Sequence, residues 1–128
     1  MKIYLLVDEP ASGKTTLLKQ LGYTFCPDSG SRFSLLLKAI YNGKKKIAID
    51  DYRNEGSASS TLKYMCDNKK IIYEQKFKGP VYINSDKYQD VEIVLVTKPV
   101  FVADLGLGLP KRCQKVSVEE FKRIKGLI

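Results

Sequence analysis

Lys2-Ile-Tyr-Leu-Leu-Val7, then Asp8-Glu-Pro-Ala-Ser-Gly13-Lys14-Thr15-Thr16, then Leu17-Leu-Lys-Gln-Leu21 is the stretch whose reading decides the fold. An aliphatic, strand-forming run breaks at a loop carrying Pro and Gly, and a helix-forming segment follows. That strand–loop–helix context is what gives a phosphate-binding loop its meaning. Ala11-Ser12-Gly13-Lys14-Thr15 fits the end of the pattern G-x-x-x-x-G-K-[ST], with Asp8 standing where the first Gly belongs. Gly13 allows the backbone to turn close to a phosphate, and the amides of residues 11–15 can point inward as anion donors. Lys14 would reach the β- and γ-phosphates, and the Thr15 hydroxyl would bind Mg²⁺. Ala11, Ser12, Gly13, Lys14, Thr15 and Thr16 are therefore the candidate nucleotide-binding residues. Asp8 tolerates a positive φ only in part and adds negative charge near a triphosphate, which predicts weakened nucleotide affinity.

The remaining composition narrows the chemistry. At 128 residues the chain fits one domain, residues 1–128, with room for a real core. No apolar run approaches the roughly 18–20 residues of a membrane span, and residues 1–7 lack the cleavage site of a signal peptide. The chain has no histidine, so a Ser-His or Cys-His nucleophile system and a histidine base are excluded. Three scattered cysteines, Cys26, Cys66 and Cys113, make neither a disulfide framework nor a zinc site, and point to a reducing, intracellular compartment. The formal charge of +8 favours a polyanionic partner, nucleic acid first.

A second element follows at Ile47-Ala-Ile-Asp50-Asp51. Two carboxylates at the carboxyl end of a buried strand sit where ligands bind in an open α/β sheet. One can hold Mg²⁺, and the other can polarise an attacking water. Helical spacing of Phe33, Leu36, Leu37 and Ile40 predicts a helix over 31–41, stopped at Asn42-Gly43. Ser59 or Ser60 is expected to cap a helix running to about Cys66. Residues 70–75 and 81–83 read as two strands of a hairpin with a basic tip, Lys76-Phe-Lys-Gly-Pro80. Residues 91–97 read as a further strand, with 100–103 continuing extended. Ser117-Val-Glu-Glu120 has the form of a capping box that opens a final helix. The fold class expected is α/β, a P-loop sheet of mostly parallel strands flanked by helices, with a basic β-hairpin.

With these elements in order, the chain resembles a superfamily-three helicase domain. Ile49-Asp50-Asp51-Tyr52, Leu62-Lys-Tyr-Met-Cys66-Asp67, Ile71-Ile-Tyr-Glu-Gln-Lys76-Phe-Lys-Gly79-Pro-Val81 and Val91-Glu-Ile-Val-Leu-Val-Thr97 carry the likeness. It is closest to the replication-associated (Rep) proteins of circular single-stranded-DNA viruses and related plasmids. The resemblance implies an ATP- and Mg²⁺-dependent AAA+ helicase, a homo-hexameric ring that moves on single-stranded DNA. Lys14 and Thr15 would serve nucleotide and metal, Asp50 the metal, and Asp51 the water. Lys76 and Lys78, on the hairpin, would contact the nucleic-acid backbone, and Arg112 takes the place of an arginine finger acting on a neighbouring subunit. The family's polar motif-C residue, an Asn, is replaced here by Lys98. Full Rep proteins carry an endonuclease domain, so such a domain is expected in a parent protein. The expected location is intracellular, in the host nucleus for a eukaryotic virus and cytoplasmic otherwise. Alternatives from other classes are an RNA-virus ATPase of the same superfamily, a small P-loop kinase, and a degenerate P-loop module that binds nucleic acid without robust ATPase activity.

Overall fold

The β-branched and aliphatic run at the start of the chain forms β1 (Lys2–Val7), and its side chains from Ile3 to Leu6 are all buried. Such a strand, apolar on both faces, belongs in the middle of a parallel sheet. In the computed structural model, which describes residues 1–7, 13–26, 32–53, 56–75, 77–105 and 108–128, that is where it lies. After β1 come α1 (Lys14–Gln20), β2 (Thr24–Cys26), α2 (Arg32–Tyr41), β3 (Lys46–Ile49) and α3 (Gly56–Cys66). Then follow β4 (Ile71–Gln75), β5 (Gly79–Ile83), β6 (Glu92–Thr97), α4 (Gly108–Arg112), β7 (Gln114–Val116) and α5 (Val118–Ile124). Short 3-10 turns occupy Ser85–Lys87 and Pro99–Leu105.

Five strands form one sheet in the order β2-β3-β6-β1-β7, and each of its four pairings is parallel. Alternation along β1 divides the core. Ile3 and Leu5 face a cluster built with Leu36, Leu37 and Ile40 of α2, Leu62 and Met65 of α3, and Leu109 of α4. Tyr4 and Leu6 face the other cluster, with Leu17 and Leu18 of α1 and Val118 and Phe121 of α5. Helices therefore cover both faces, the condition for an all-parallel sheet.

β1 leads into α1 on one face, whereas the neighbouring β6 leads into the Pro99–Leu105 turn and α4 on the other. Adjacent strands whose continuations leave to opposite faces define the topological switch point, where ligands of open α/β sheets bind at the carboxyl ends of the strands.

β4 and β5 pair antiparallel as a separate hairpin, from Ile71 opposite Ile83 to Gln75 opposite Gly79. Ile71, Tyr73 and Ile83 join the core on the α2–α3 side. The other hairpin face presents Ile72 and Tyr82, opposite one another in register and both exposed. The expected α/β architecture with a parallel core and a hairpin is thus observed.

Local expectations fare unevenly. The serine half of the expected capping box is observed, with the Glu120 N–H donating to the Ser117 hydroxyl at 3.2 Å. Residues 100–103, expected extended, belong instead to the 3-10 turn, closed by Phe101 N–H donating to the Lys98 carbonyl at 3.0 Å. Pro99 sits at the first helical position, where its fixed φ suits a turn and its missing N–H costs nothing. β6 already has β1 and β3 on its two sides, so no further strand partner awaits this segment. α3 begins at Gly56, before the expected cap, and the Ser59 hydroxyl bonds to Tyr52 inside the fold. α4 and β7 were not marked by any local pattern.

Of the dispersed tyrosines, Tyr52, Tyr73 and Tyr88 are buried, whereas Tyr64 and Tyr82 are exposed. Beneath the sheet, Lys125 lies near the rings of Tyr4, Tyr23 and Phe121 and forms an ion pair with Glu92. Both partners of that pair are mostly shielded from water, so the aromatic surround replaces hydration the ammonium has lost.

Burial pushes the Cys113 thiol up from its ordinary 9.0 to about 12, with Cys66 beside it adding to the shift. Burial, then the Glu92 charge, raises the Tyr23 phenol. Both groups stay protonated in the fold while the unfolded chain ionises, so rising pH favours unfolding. Stability should hold below about pH 9 and fall from there upward. Cys113→Ala should flatten the decline between about pH 9 and pH 12, read as urea midpoints across that range.

Candidate functional site

The carboxyl end of β3 is where the site is built. The Thr15 hydroxyl of α1 donates to Asp50 Oδ2 at 3.3 Å, and the Asp51 N–H donates to Asp50 Oδ1 at 2.9 Å. Both oxygens of Asp50 are thereby engaged, and the first turn of α1 is tied to the end of β3. Asp51 takes φ 48°, a left-handed conformation in which Asp, with its short polar side chain, is among the better-tolerated residues.

Tyr52 then returns the chain to the sheet. Its N–H donates to the Val96 carbonyl at 2.7 Å, and its own carbonyl accepts from the Thr97 hydroxyl at 2.8 Å. The regular β3–β6 register ends with Ile49 opposite Leu95, so Asp50 and Asp51 are extra residues pushed out between two points of attachment. The effect is that of a bulge, which re-aims side chains at a strand end. Tyr52 is fully buried, and its hydroxyl lies 2.5 Å from Ser59 Oγ of α3.

Arg53 follows. Its guanidinium stands 3.5 Å from Asp51 Oδ2 and 4.4 Å from the centre of the Phe101 ring. Lys98, just past the end of β6, has its ammonium 6.0 Å from the same ring. The ion pair is half exposed and alone would hold the side chains weakly. Stacking on Phe101 supplies a second point of contact that fixes the direction from which Arg53 meets Asp51.

Gly13 caps α1 with φ 81°, and an added Cβ there would meet no atom within 4 Å. The demand for glycine is therefore conformational, not one of space. Lys14 and Thr15 are half-buried and Thr16 is exposed. Among the described residues no group of three or more Cys, Asp and Glu side chains is arranged to hold a metal. Thr15 and Asp50 do provide a hydroxyl and a carboxylate oxygen side by side, the hard donors suited to Mg²⁺, which takes few protein ligands and keeps water and phosphate as the rest.

The residues expected to act together separate into three groups. Thr15, Asp50 and Asp51 are drawn together, and Lys98 stands at the end of the adjoining strand. Arg112 lies elsewhere. It immediately precedes β7, which runs parallel to β1, and so sits toward the amino ends of the strands, away from Asp50. There it donates to the Gly108 carbonyl at 2.9 Å and stands 3.5 Å from Asp67. Lys78 belongs to the hairpin tip, where its N–H donates to the Gln75 carbonyl at 3.2 Å. Beside it Phe77, at φ 66°, is 96% exposed. Asp8, Ala11, Ser12 and Lys76 lie outside the described residues.

Sequence reasoning missed Tyr52, Thr97, Arg53 and Phe101 as parts of this site. The available signal was the position of Tyr52 and Arg53 directly after the acidic pair. The contacts to β6 and to the turn beyond it leave no local pattern. Neither protein-family models nor curated proteins match the chain. Among the described residues, no helix is long and apolar enough to cross a membrane.

Thr97 is 1% exposed, and its hydroxyl satisfies a carbonyl that faces no water. Thr97→Val, nearly isosteric, should destabilise the fold by about 1–3 kcal/mol by leaving that carbonyl unpaired. Thr97→Ser should recover much of the loss. Chemical denaturation of the two variants checks this directly.

Proposed function

We propose that the protein is an ATPase of the superfamily-three helicase type, a P-loop, AAA+-like domain that couples Mg²⁺-ATP hydrolysis to movement on single-stranded DNA. The observation that carries the reading is the Thr15–Asp50 hydrogen bond, which joins the G-K-T segment to the acidic strand end beside the switch point. A chance G-K-T in a lysine-rich chain would have no reason to meet a carboxylate 35 positions away.

The donors fit the group they would receive. Thr15 and Asp50 would hold Mg²⁺, while Lys14 contacts the phosphates from the start of α1. Bound there, the metal supplies neutralisation of phosphate charge. Asp51 would orient the attacking water and take up its proton. Arg53, stacked on Phe101, holds the Asp51 carboxylate in place, and Lys98 adds a cation at the end of β6. Arg112, remote from this site in its own chain, would act on the nucleotide of a neighbour in a homo-hexameric ring. Lys76 and Lys78 would meet the DNA backbone at the hairpin tip, where the exposed Phe77 adds a surface for a base.

Turnover of ATP with Mg²⁺, with and without single-stranded DNA, tests the reading. Lys14→Ala and Asp51→Asn should each lower the rate by roughly 100-fold or more, the scale of losing one electrostatic or acid–base contribution. Rates indistinguishable from the parent protein would overturn it.

A further inference from the structure

Two neighbouring grooves flank the carboxyl-terminal half of α2. The first, of about 550 Å³, lies between α2 and the hairpin and is lined by Lys38, Tyr41, Tyr73, Glu74 and Lys78 among others. The second, of about 170 Å³, continues on the other flank of α2 toward the edge strand β2 and is lined by Phe25, Lys38 and Lys44 among others. Leu35, Lys38 and Asn42 belong to both. Together they make one lane, which begins at the hairpin tip, crosses α2 and ends at the sheet edge.

The chemistry along this lane repeats. Lys78, Lys38 and Lys44 succeed one another along it, all three exposed, with Glu74 the one acid among the described residues of either lining. In the groove that holds the first two lysines, the rings of Tyr41 and Tyr73 meet at 5.6 Å and 52°. Tyr73 is buried and braces Tyr41, which is 40% exposed. Ser34, Asn42 and Gln75 offer hydrogen-bonding groups beside the rings. Cations spaced along an open path, with an aromatic face between them, match a polymer with alternating charge and π-surface. A lone small anion would use one cation cluster and leave the rest of the lane without purpose.

We propose that this lane is a binding track for single-stranded DNA, with a base stacked on Tyr41 and successive phosphates at Lys78, Lys38 and Lys44. The inference rests on the proposed action on single strands, and extends it from the hairpin tip to a surface on α2. Tyr41 supplies stacking, and Tyr73 is a positioning residue that holds its ring.

The test is fluorescence anisotropy of a labelled oligothymidylate with the full chain, repeated across salt concentrations. Tyr41→Ala should weaken binding roughly ten-fold or more, as loss of one base–aromatic stack does. Lys38→Gln should lower the slope of log affinity against log salt by about 0.7, the signature of one lost phosphate contact on a single strand. Tyr64→Ala, an exposed tyrosine on α3 outside both grooves, should bind as the parent does. Circular dichroism checks folding, and if Tyr41→Ala is unfolded the Lys38→Gln slope decides. Binding that Lys78→Gln weakens while Tyr41→Ala and Lys38→Gln leave it unchanged would overturn the lane and keep the hairpin reading. No binding of any oligothymidylate by the parent chain would overturn both. Tight binding of oligouridylate alone would overturn the assignment to DNA.

Discussion

The clasp of Tyr52 onto β6 is the constraint on which the site depends. Two hydrogen bonds, from its N–H to Val96 and to its carbonyl from Thr97, bring the chain back to the sheet after Asp50 and Asp51 have left it. Without that return the acidic pair would be the loose end of a strand, free to turn into solvent. With it, the two carboxylates are displayed between fixed points about three residues apart, and Asp51 is held in a left-handed conformation that an unconstrained chain would seldom choose. The cost of that conformation is met by burying Tyr52 completely and pairing its hydroxyl with Ser59.

Charge explains the next layer. Two carboxylates close together at a strand end repel one another and any phosphate that approaches. Asp50 is relieved by the Thr15 hydroxyl and the Asp51 amide, groups that give hydrogen bonds without adding charge. Asp51 is relieved by Arg53, which adds a full positive charge. The two acids, adjacent in sequence, are thus set in different surroundings.

The strand–loop–helix at the start and the acidic strand end were legible because each is written in consecutive residues. Lys2–Val7 is apolar on both faces, and Ile47–Ile49 runs straight into Asp50. The hairpin was legible for the same reason. What was not legible depends on contacts between residues far apart in the chain. Tyr52 meets residues more than 40 positions on, and Arg53 meets Phe101. Val100–Ala103 looks like a strand by composition, yet β6 has no side left for it, so Pro99 turns it instead. Arg112 could be placed only once β7, a three-residue edge strand, showed which way the chain was running.

α3 links the two regions that carry charge chemistry. Ser59, in its amino-terminal part, bonds to Tyr52 beside the acidic pair, and its carboxyl end leads within a few residues into β4 of the hairpin. Leu62 and Met65 fix the helix into the same core that receives Ile71, Tyr73 and Ile83. A displacement of Tyr52 would therefore act on α3 through a hydrogen bond between buried groups, and α3 acts on the hairpin through close-packed side chains that resist local give. Propagation between distant sites needs an element with two discrete arrangements, not mere adjacency. Asp51, with its left-handed backbone and its half-exposed ion pair to Arg53, lies between the clasp on one side and β3 on the other.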